Sequence, residues 1–437
     1  MKKLTLFALL FLSSINFVYT QSGWVQQMYG VANPVTSIFF INENTGWITL
    51  SGSNGFVTSG SILRTTNGGL KWVTFMNGST GFDCIGFINS STGCVVGNYA
   101  NDVGVRMRFI LKTSNGGINY FIQYQDSLFT PLIKLSVASN NYIFALRQNG
   151  QLISSSNSGA IWTSQVLNNS ASLVDMMFAS EQIGWVLSGF NYILRTTNAG
   201  SNWQTIHYAG KIFPKCFHFK DILSGWVIYG PSYKSTTGGV FWNQFTSSGN
   251  IVPRDLFFVN SNYGWLCGPN GTIQRTTDSG LNWATQISGG NYSTITLNSI
   301  FFVNQQTGWC IGSGTIPPST SISLILKTTN GGVTGFQQIS NETPELFSLS
   351  QNYPNPFNPV TNIKFQIPKT SFVKLIVYDI LGREVETLVN EQLKPGAYEA
   401  DWDASDYPSG VYFYRLDVGD PSTSLRVIET KKMVLIK

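Results

Sequence analysis

The sequence predicts an all-β protein, a seven-bladed β-propeller followed by a small antiparallel Ig-like β-sandwich. Three observations predict it. One eight-residue pattern recurs seven times at intervals of about forty residues. Charged residues are only 11% of the chain while Gly and aromatic residues are abundant, so polarity falls to Asn, Ser, Thr and Gln, as in turn-rich β-structure. After the last repeat, about ninety residues alternate apolar and polar positions with a period of two.

The chain of 437 residues exceeds one ordinary domain, but a closed ring of repeats can absorb most of it. Its opening is different. Met1-Lys2-Lys3 precedes an apolar run from Leu4 to Val18, then Tyr19-Thr20-Gln21, which reads as a secretory signal peptide cleaved after Thr20. Ser13, Ser14 and Asn16 interrupt that run, and it falls short of the ~20 apolar residues a membrane span needs. No later segment is apolar enough, so no stable membrane span is expected, and the lack of Cys near the cleavage site argues against a lipid anchor. The formal charge of +5 has no clustered basic run, which argues against nucleic acid as a partner.

The repeats read Ser/Thr-x-Asn/Asp-x-Gly-x-x-aromatic, as in Thr65 to Trp72, Thr196 to Trp203 and Thr276 to Trp283. The third position falls at Asn67, Asn115, Asn157, Asn198, Thr237, Asp278 and Asn330; the fifth copy is degenerate, and in the seventh the aromatic slips to Phe336. A short polar side chain there is expected to accept from backbone N–H groups two residues on, and Gly69 and its equivalents to supply a positive φ. A second motif, apolar-x-Phe-x-Asn-x-x-x-Gly-Trp, precedes most copies, as in Ile38 to Trp47 and Ile300 to Trp309; blade 2 has Gly93-Cys94 and blade 3 has lost it. Ser22-Gly23-Trp24-Val25-Gln26-Gln27 looks like the tail of another repeat and is expected to supply a strand that closes the ring through the last blade.

These residues resemble the Asp-box (BNR) repeat, and its combination with Gly-Trp is similar to propellers of the photosystem II stability and assembly factor family. The resemblance covers about residues 24–341. It implies architecture and no activity, because Asp-boxes also occur in sialidases, sortilin-like receptors and xyloglucan hydrolases. Asn67, Asn115, Asn157, Asn198, Asp278 and Asn330 are accordingly expected to be structural.

Call each blade's strands a to d. The a–b and c–d connections are short and uniform and share one rim, whereas the b–c and d–a connections share the other and vary. Residues 97–108 and 312–323 are the largest variable loops, and function on a rigid scaffold usually sits in such loops. Counting back from the Asn of the a–b loop places Thr36, Asp83, Val174, Lys215, Arg254 and Asn298 at the channel mouth, then Ser37, Cys84, Asp175, Cys216, Asp255 and Ser299. The candidate binding residues are Asp83, Asp175, Lys215, Arg254 and Asp255, with Tyr99, Asp102, Arg106 and Arg108 from the first loop. Catalysis is disfavoured. Asp83, Asp175 and Asp255 come from blades 2, 4 and 6, whereas a glycosidase needs two carboxyl groups ~5–10 Å apart, and Arg64, Arg195 and Arg275 recur as scaffold. The five cysteines are read as buried free thiols, and His207 and His218 lack companions at ligand spacing, so no metal and no cofactor is expected.

Beyond Thr343-Pro344 the composition turns acidic and Pro-rich. Asn352-Tyr353-Pro354-Asn355-Pro356-Phe357-Asn358-Pro359, the turn Tyr378-Asp379-Ile380-Leu381-Gly382, Gly410-Val411-Tyr412 and the end Lys431-Lys432-Met433-Val434-Leu435-Ile436-Lys437 resemble the type A C-terminal sorting domain of type IX secretion substrates. That resemblance implies Sec export, recognition by the type IX translocon with Lys431, Lys432, Met433, Leu435 and Lys437 in the signal, and removal of the domain near Asn341 to Leu346. The expected organisation is a signal peptide at 1–20, a propeller at 21–341, a linker with the processing site at 342–348 and the sorting sandwich at 349–437. The expected protein is a monomeric, secreted or cell-surface binding or scaffolding module for an extracellular glycan or protein. The alternative is an extracellular carbohydrate-active hydrolase.

Overall fold

In a computed structural model of the chain, the described residues are 23–437 apart from 30–32, 54–57, 101–104, 129, 168–172, 191, 208–213, 230, 247–251, 288–291, 317–319, 333–335, 341, 405–406 and 420–425. The expected signal peptide at 1–20 and the candidate Asp102 lie outside the described residues. Two compact units result, Gly23–Val333 and Thr334–Lys437.

Each repeat folds into one four-stranded antiparallel sheet, giving seven blades. The a strands are Val35–Phe40, Thr80–Phe87, Leu132–Val137, Leu173–Phe178, His218–Phe219, Asp255–Phe258 and Ile295–Phe302. They line the ring's centre, and the a strand of blade 7 neighbours that of blade 1. Blade 7 takes its d strand from the chain's start: Gly23–Tyr29 pairs antiparallel with Thr320–Gly332, closing the ring as the Trp24 segment predicts.

Both sequence motifs acquire a mechanical reason. The Phe of strand a lies across the Gly of Gly-Trp, so closely that a Cβ on Gly46 would sit 2.4 Å from the Phe40 ring; Gly184 against Phe178 and Gly308 against Phe302 repeat the contact. The other face of that Phe is covered by the Trp of the preceding blade, with Trp309 stacked on Phe40 at 3.5 Å and Trp47 on Phe87 at 3.6 Å. The Trp Nε1 then donates to the fourth residue of the next blade's Asp-box: Trp47 to Gly116 O (3.0 Å), Trp185 to Gly238 O (2.9 Å), Trp226 to Ser279 O (2.9 Å) and Trp309 to Gly68 O (3.1 Å). Gly-Trp is therefore a latch between blades.

Within each box the expected turn differs in detail. Asn67 Oδ1 accepts from the N–H of Lys71, four residues on and not two, while Thr65 Oγ1 accepts from Gly69 N at 2.9 Å. Gly69 has φ of 92°, and the residue before it is also left-handed, even where it is Ser158, Ala199 or Ser279. In the degenerate fifth box Thr237 Oγ1 takes over the acceptor role toward Phe241 N (3.0 Å).

The second unit is a sandwich of two four-stranded antiparallel sheets. One holds Phe336–Ser340, Gly396–Asp403, Val360–Ile367 and Ser348–Leu349; the other holds Glu384–Leu393, Ser371–Tyr378, Gly410–Gly419 and Arg426–Leu435. The expected boundary at 341/342 is thus too late. Phe336–Ser340 pairs with Gly396–Asp403, and the Phe336 ring packs against Phe365 and Tyr398 within the sandwich core. Phe336 is therefore not the slipped aromatic of the seventh box. Trp24 fills that place, edge-on to Phe302 at 5.7 Å as Trp72 is to Phe40 at 5.9 Å.

Candidate functional site

Most of the residues expected at the channel mouth share a repeated irregularity. Strand a carries a bulge at Thr36, Asp83, Ile133, Val174 and Asn298, which leaves those residues without a ladder partner. A bulge re-aims side chains, so two successive residues per blade become available instead of one.

Blade 2 gathers most of the predicted rim residues. Asn98 Nδ2 donates to Asp83 Oδ2 at 3.3 Å, and Arg108 pairs in register with Asn98. Burial pushes the Asp83 carboxyl above its usual range, against the pull of Asn98, Arg108 and Arg106. Burial likewise lowers Arg108, opposed by Asp83. Tyr99 sits beside them, its hydroxyl 3.3 Å from Gln125 Oε1, and Arg106 is exposed. Two further charged residues complete the cluster. Asp126 forms an ion pair with the buried Arg147 of blade 3, whose Nη1 also donates to Thr130 O at 2.7 Å. Sequence reasoning missed both because they end strands d and b, where no repeat motif marks a register.

One level further in, the second row converges electrostatically. Asp175 is buried and accepts from Lys134 Nζ at 2.9 Å and from Met176 N at 2.8 Å. Lys134 is the blade 3 member of this row and was passed over because blade 3 has lost the Gly-Trp pair as well as the loop Asn, which Ser139 replaces; blade 4 also has a Ser there, Ser180, but keeps Gly184-Trp185 to fix the count. Ser139 Oγ still accepts from Asn141 and Tyr142 N–H, so the signal was a Ser read as an Asn. Burial alone would lower the Lys134 ammonium, but Asp175 and Asp255 hold it above its ordinary value; 36% of its side chain remains accessible. Asp255 Oδ2 accepts from Ser299 Oγ (2.7 Å) and Ile300 N (2.9 Å), and burial raises its carboxyl. Cys84 and Cys216 in the same row are free thiols, pushed up by burial.

The remaining predictions divide. Lys215 and Arg254 are exposed at the mouth and make no ion pair among the described residues. They are not drawn into either charge cluster. In the sandwich, Met433 and Leu435 are core residues, Lys431 lies 3.5 Å from Glu429, and Lys432 and Lys437 face outward. The opening motif is stitched to this end: Phe357 N donates to Val434 O (3.0 Å), and Val434 N to Asn355 Oδ1 (3.0 Å). Among the described residues no helix is long and apolar enough to cross a membrane, and no three His, Cys, Asp or Glu side chains gather where a metal could bind.

Fold and site together define an Asp-box propeller joined to a C-terminal export domain. Residues 351–430 match the family described as secretion system C-terminal sorting domain, and residues 234–343 match photosynthesis system II assembly factor YCF48. The sorting domain marks the chain for type IX secretion, to the cell surface or beyond it. Among solved structures, YCF48 bound to D1 peptide is 17% identical with a TM-score of 0.55, covering 72% of this chain and 98% of its own. YCF48 from Cyanidioschyzon merolae gives 17% and 0.54, covering 70% and 98%. The Niastella koreensis GH74 enzyme gives 12% and 0.53, covering 93% of this chain and 67% of its own. No curated protein matches the sequence. At these identities the structures establish the fold alone.

Proposed function

We propose that the propeller is a non-catalytic binding module, exported through a signal peptide and the sorting domain, whose ligand is an extracellular glycan or protein carrying an anionic group. The observation that carries this is how the charges are used. Asp83, Asp126, Asp175 and Asp255 each have a partner within the fold, so none is left as a free acid or base. Among the described residues, the exposed charges at the same rim, Arg106, Lys215 and Arg254, are all cationic. Exposed cations beside a polar mouth suit recognition of carboxylate, sulfate or phosphate groups. The D1 peptide bound in the YCF48 structure is consistent with a propeller that binds protein segments.

A glycan array, with a panel of chromogenic glycosides beside it, tests the reading. Binding of acidic ligands that is weakened tenfold by Arg106→Ala or Arg254→Ala, with no turnover, is the expected result. Turnover abolished by Asp83→Asn or Asp175→Asn would establish a hydrolase instead. Export is tested separately. Removing residues 334–437 should leave the protein in the periplasm, and unchanged surface delivery would refute the sorting role.

A further inference from the structure

Six blades place a cation just before the hydroxyl that opens the Asp-box: Arg64, Lys112, Arg195, Lys234, Arg275 and Lys327. It pairs across the sheet with the latch residue of strand b, as Arg64 does with Trp47. In four blades the cation lies 5.3 to 5.7 Å over its own Trp ring. Where the Trp is missing, the cation makes the latch itself, Lys112 Nζ donating to Ser158 O at 2.8 Å; Arg195 Nε makes the same bond to Gly238 O at 2.8 Å.

Blade 3 lacks both members. Its cross-strand pair is Phe144 and Ser154. Phe144 still stacks on Phe178 of blade 4 at 3.6 Å, so the aromatic layer continues, but it offers no N–H. The carbonyl of Ala199, which stands where Gly116, Ser158, Gly238, Ser279, Gly331 and Gly68 receive their donors, accepts no hydrogen bond from any described residue. The space opens into a cavity of about 680 Å³ whose walls include Tyr142, Phe144, Ser154, Ile161, Gln182 and Ala199. Among the described residues no charged side chain lines it. Tyr142 and Phe144 form a continuous aromatic wall, with ring centroids 6.4 Å apart and planes 25° apart.

We propose that this cavity between blades 3 and 4 binds an arginine side chain presented by a partner polypeptide, which takes the place of the cation the repeat omits. The site combines what the other blades use to hold theirs, a ring face in four of them and a backbone carbonyl in two, with no carboxylate required. A guanidinium fits best because it lies flat on an aromatic face while its N–H groups reach carbonyl, hydroxyl and amide oxygens in the same plane. Ser154, Gln182 and Ala199 supply those oxygens. The site is separate from the rim of blade 2, since the boxes and a–b loops share the opposite rim.

The test titrates the full chain with a short arginine-containing peptide and with the same peptide carrying citrulline, which keeps the shape and removes the charge. Calorimetry should show saturable binding of the arginine peptide and at least tenfold weaker binding of the citrulline peptide. Ser154→Arg, which installs the repeat's own cation, should weaken arginine-peptide binding at least tenfold without lowering the melting temperature. Phe144→Trp should do the same by occupying Ala199 O. Failure of the arginine peptide to bind, equal binding of the citrulline peptide, or binding untouched by both substitutions would overturn the proposal. So would saturable binding of a neutral oligosaccharide that Ser154→Arg abolishes, which would assign the cavity to sugar.

Discussion

Replacing Trp47 by Phe tests whether the Gly-Trp motif is an inter-blade latch. The substitution keeps a ring to stack on Phe87 but removes the donor to Gly116 O, a bond that is buried at 3.0 Å. Leaving that carbonyl without its donor costs about 1–3 kcal/mol. Shrinking a fully buried indole to a phenyl ring adds roughly 1–2 kcal/mol for lost contacts and residual cavity. Loss of ring area beneath Arg64, whose guanidinium lies 5.4 Å from the Trp47 centroid, acts in the same direction. The sum is about 3 kcal/mol. For a unit of some 300 residues, unfolding entropy of about 2.1 cal/mol/K per residue converts this to a fall in Tm of roughly 5 °C. Differential scanning calorimetry of the propeller transition, with Phe144→Trp as the reciprocal variant, measures it. A drop below 1 °C for Trp47→Phe would show that stacking alone holds the blades and would refute the latch.

Two further outcomes follow from the same geometry. Burial lowers His218 from its ordinary value near 6.5 to about 4, so the native state favours the neutral ring. Its contribution is complete above pH 6.5 and is lost as pH falls through 4, by about 3 kcal/mol in all; denaturation midpoints between pH 7 and 4 should fall less steeply in His218→Gln. Gly264→Ala should destabilise blade 6 by roughly 1–3 kcal/mol, because its Cβ would sit 2.6 Å from the Phe258 ring, and an unchanged urea midpoint would contradict that packing.

Periodicity made the propeller legible because each repeat satisfies the same local constraints, a left-handed turn and a Gly beneath a Phe. The boundary was less legible because local pattern cannot say which sheet a strand joins. Phe336 stands where a box aromatic could stand, yet pairing assigns its strand to the sandwich, while Trp24, more than 300 residues earlier, completes the box. At the site, Asp83, Asp175 and Asp255 were found by counting from a motif, and Lys134 was lost in blade 3, where the Gly-Trp pair and the loop Asn are both replaced. Arg147 and Asp126 meet only because two blades are adjacent in space, which no sequence spacing records.

The pairing of Gly23–Tyr29 with Thr320–Gly332 also sets a schedule. The strand at Gly23–Tyr29 leaves a ribosome long before its partner, which is not made until almost the whole ring has followed. Contacts of such long separation are slow to form. Until residue 332 arrives, Trp24 has no pocket and the apolar strands of blade 7 have no covering edge. An unfinished ring in that interval leaves strand edges unpaired at the blade 7 seam, and unpaired edges invite association with other chains.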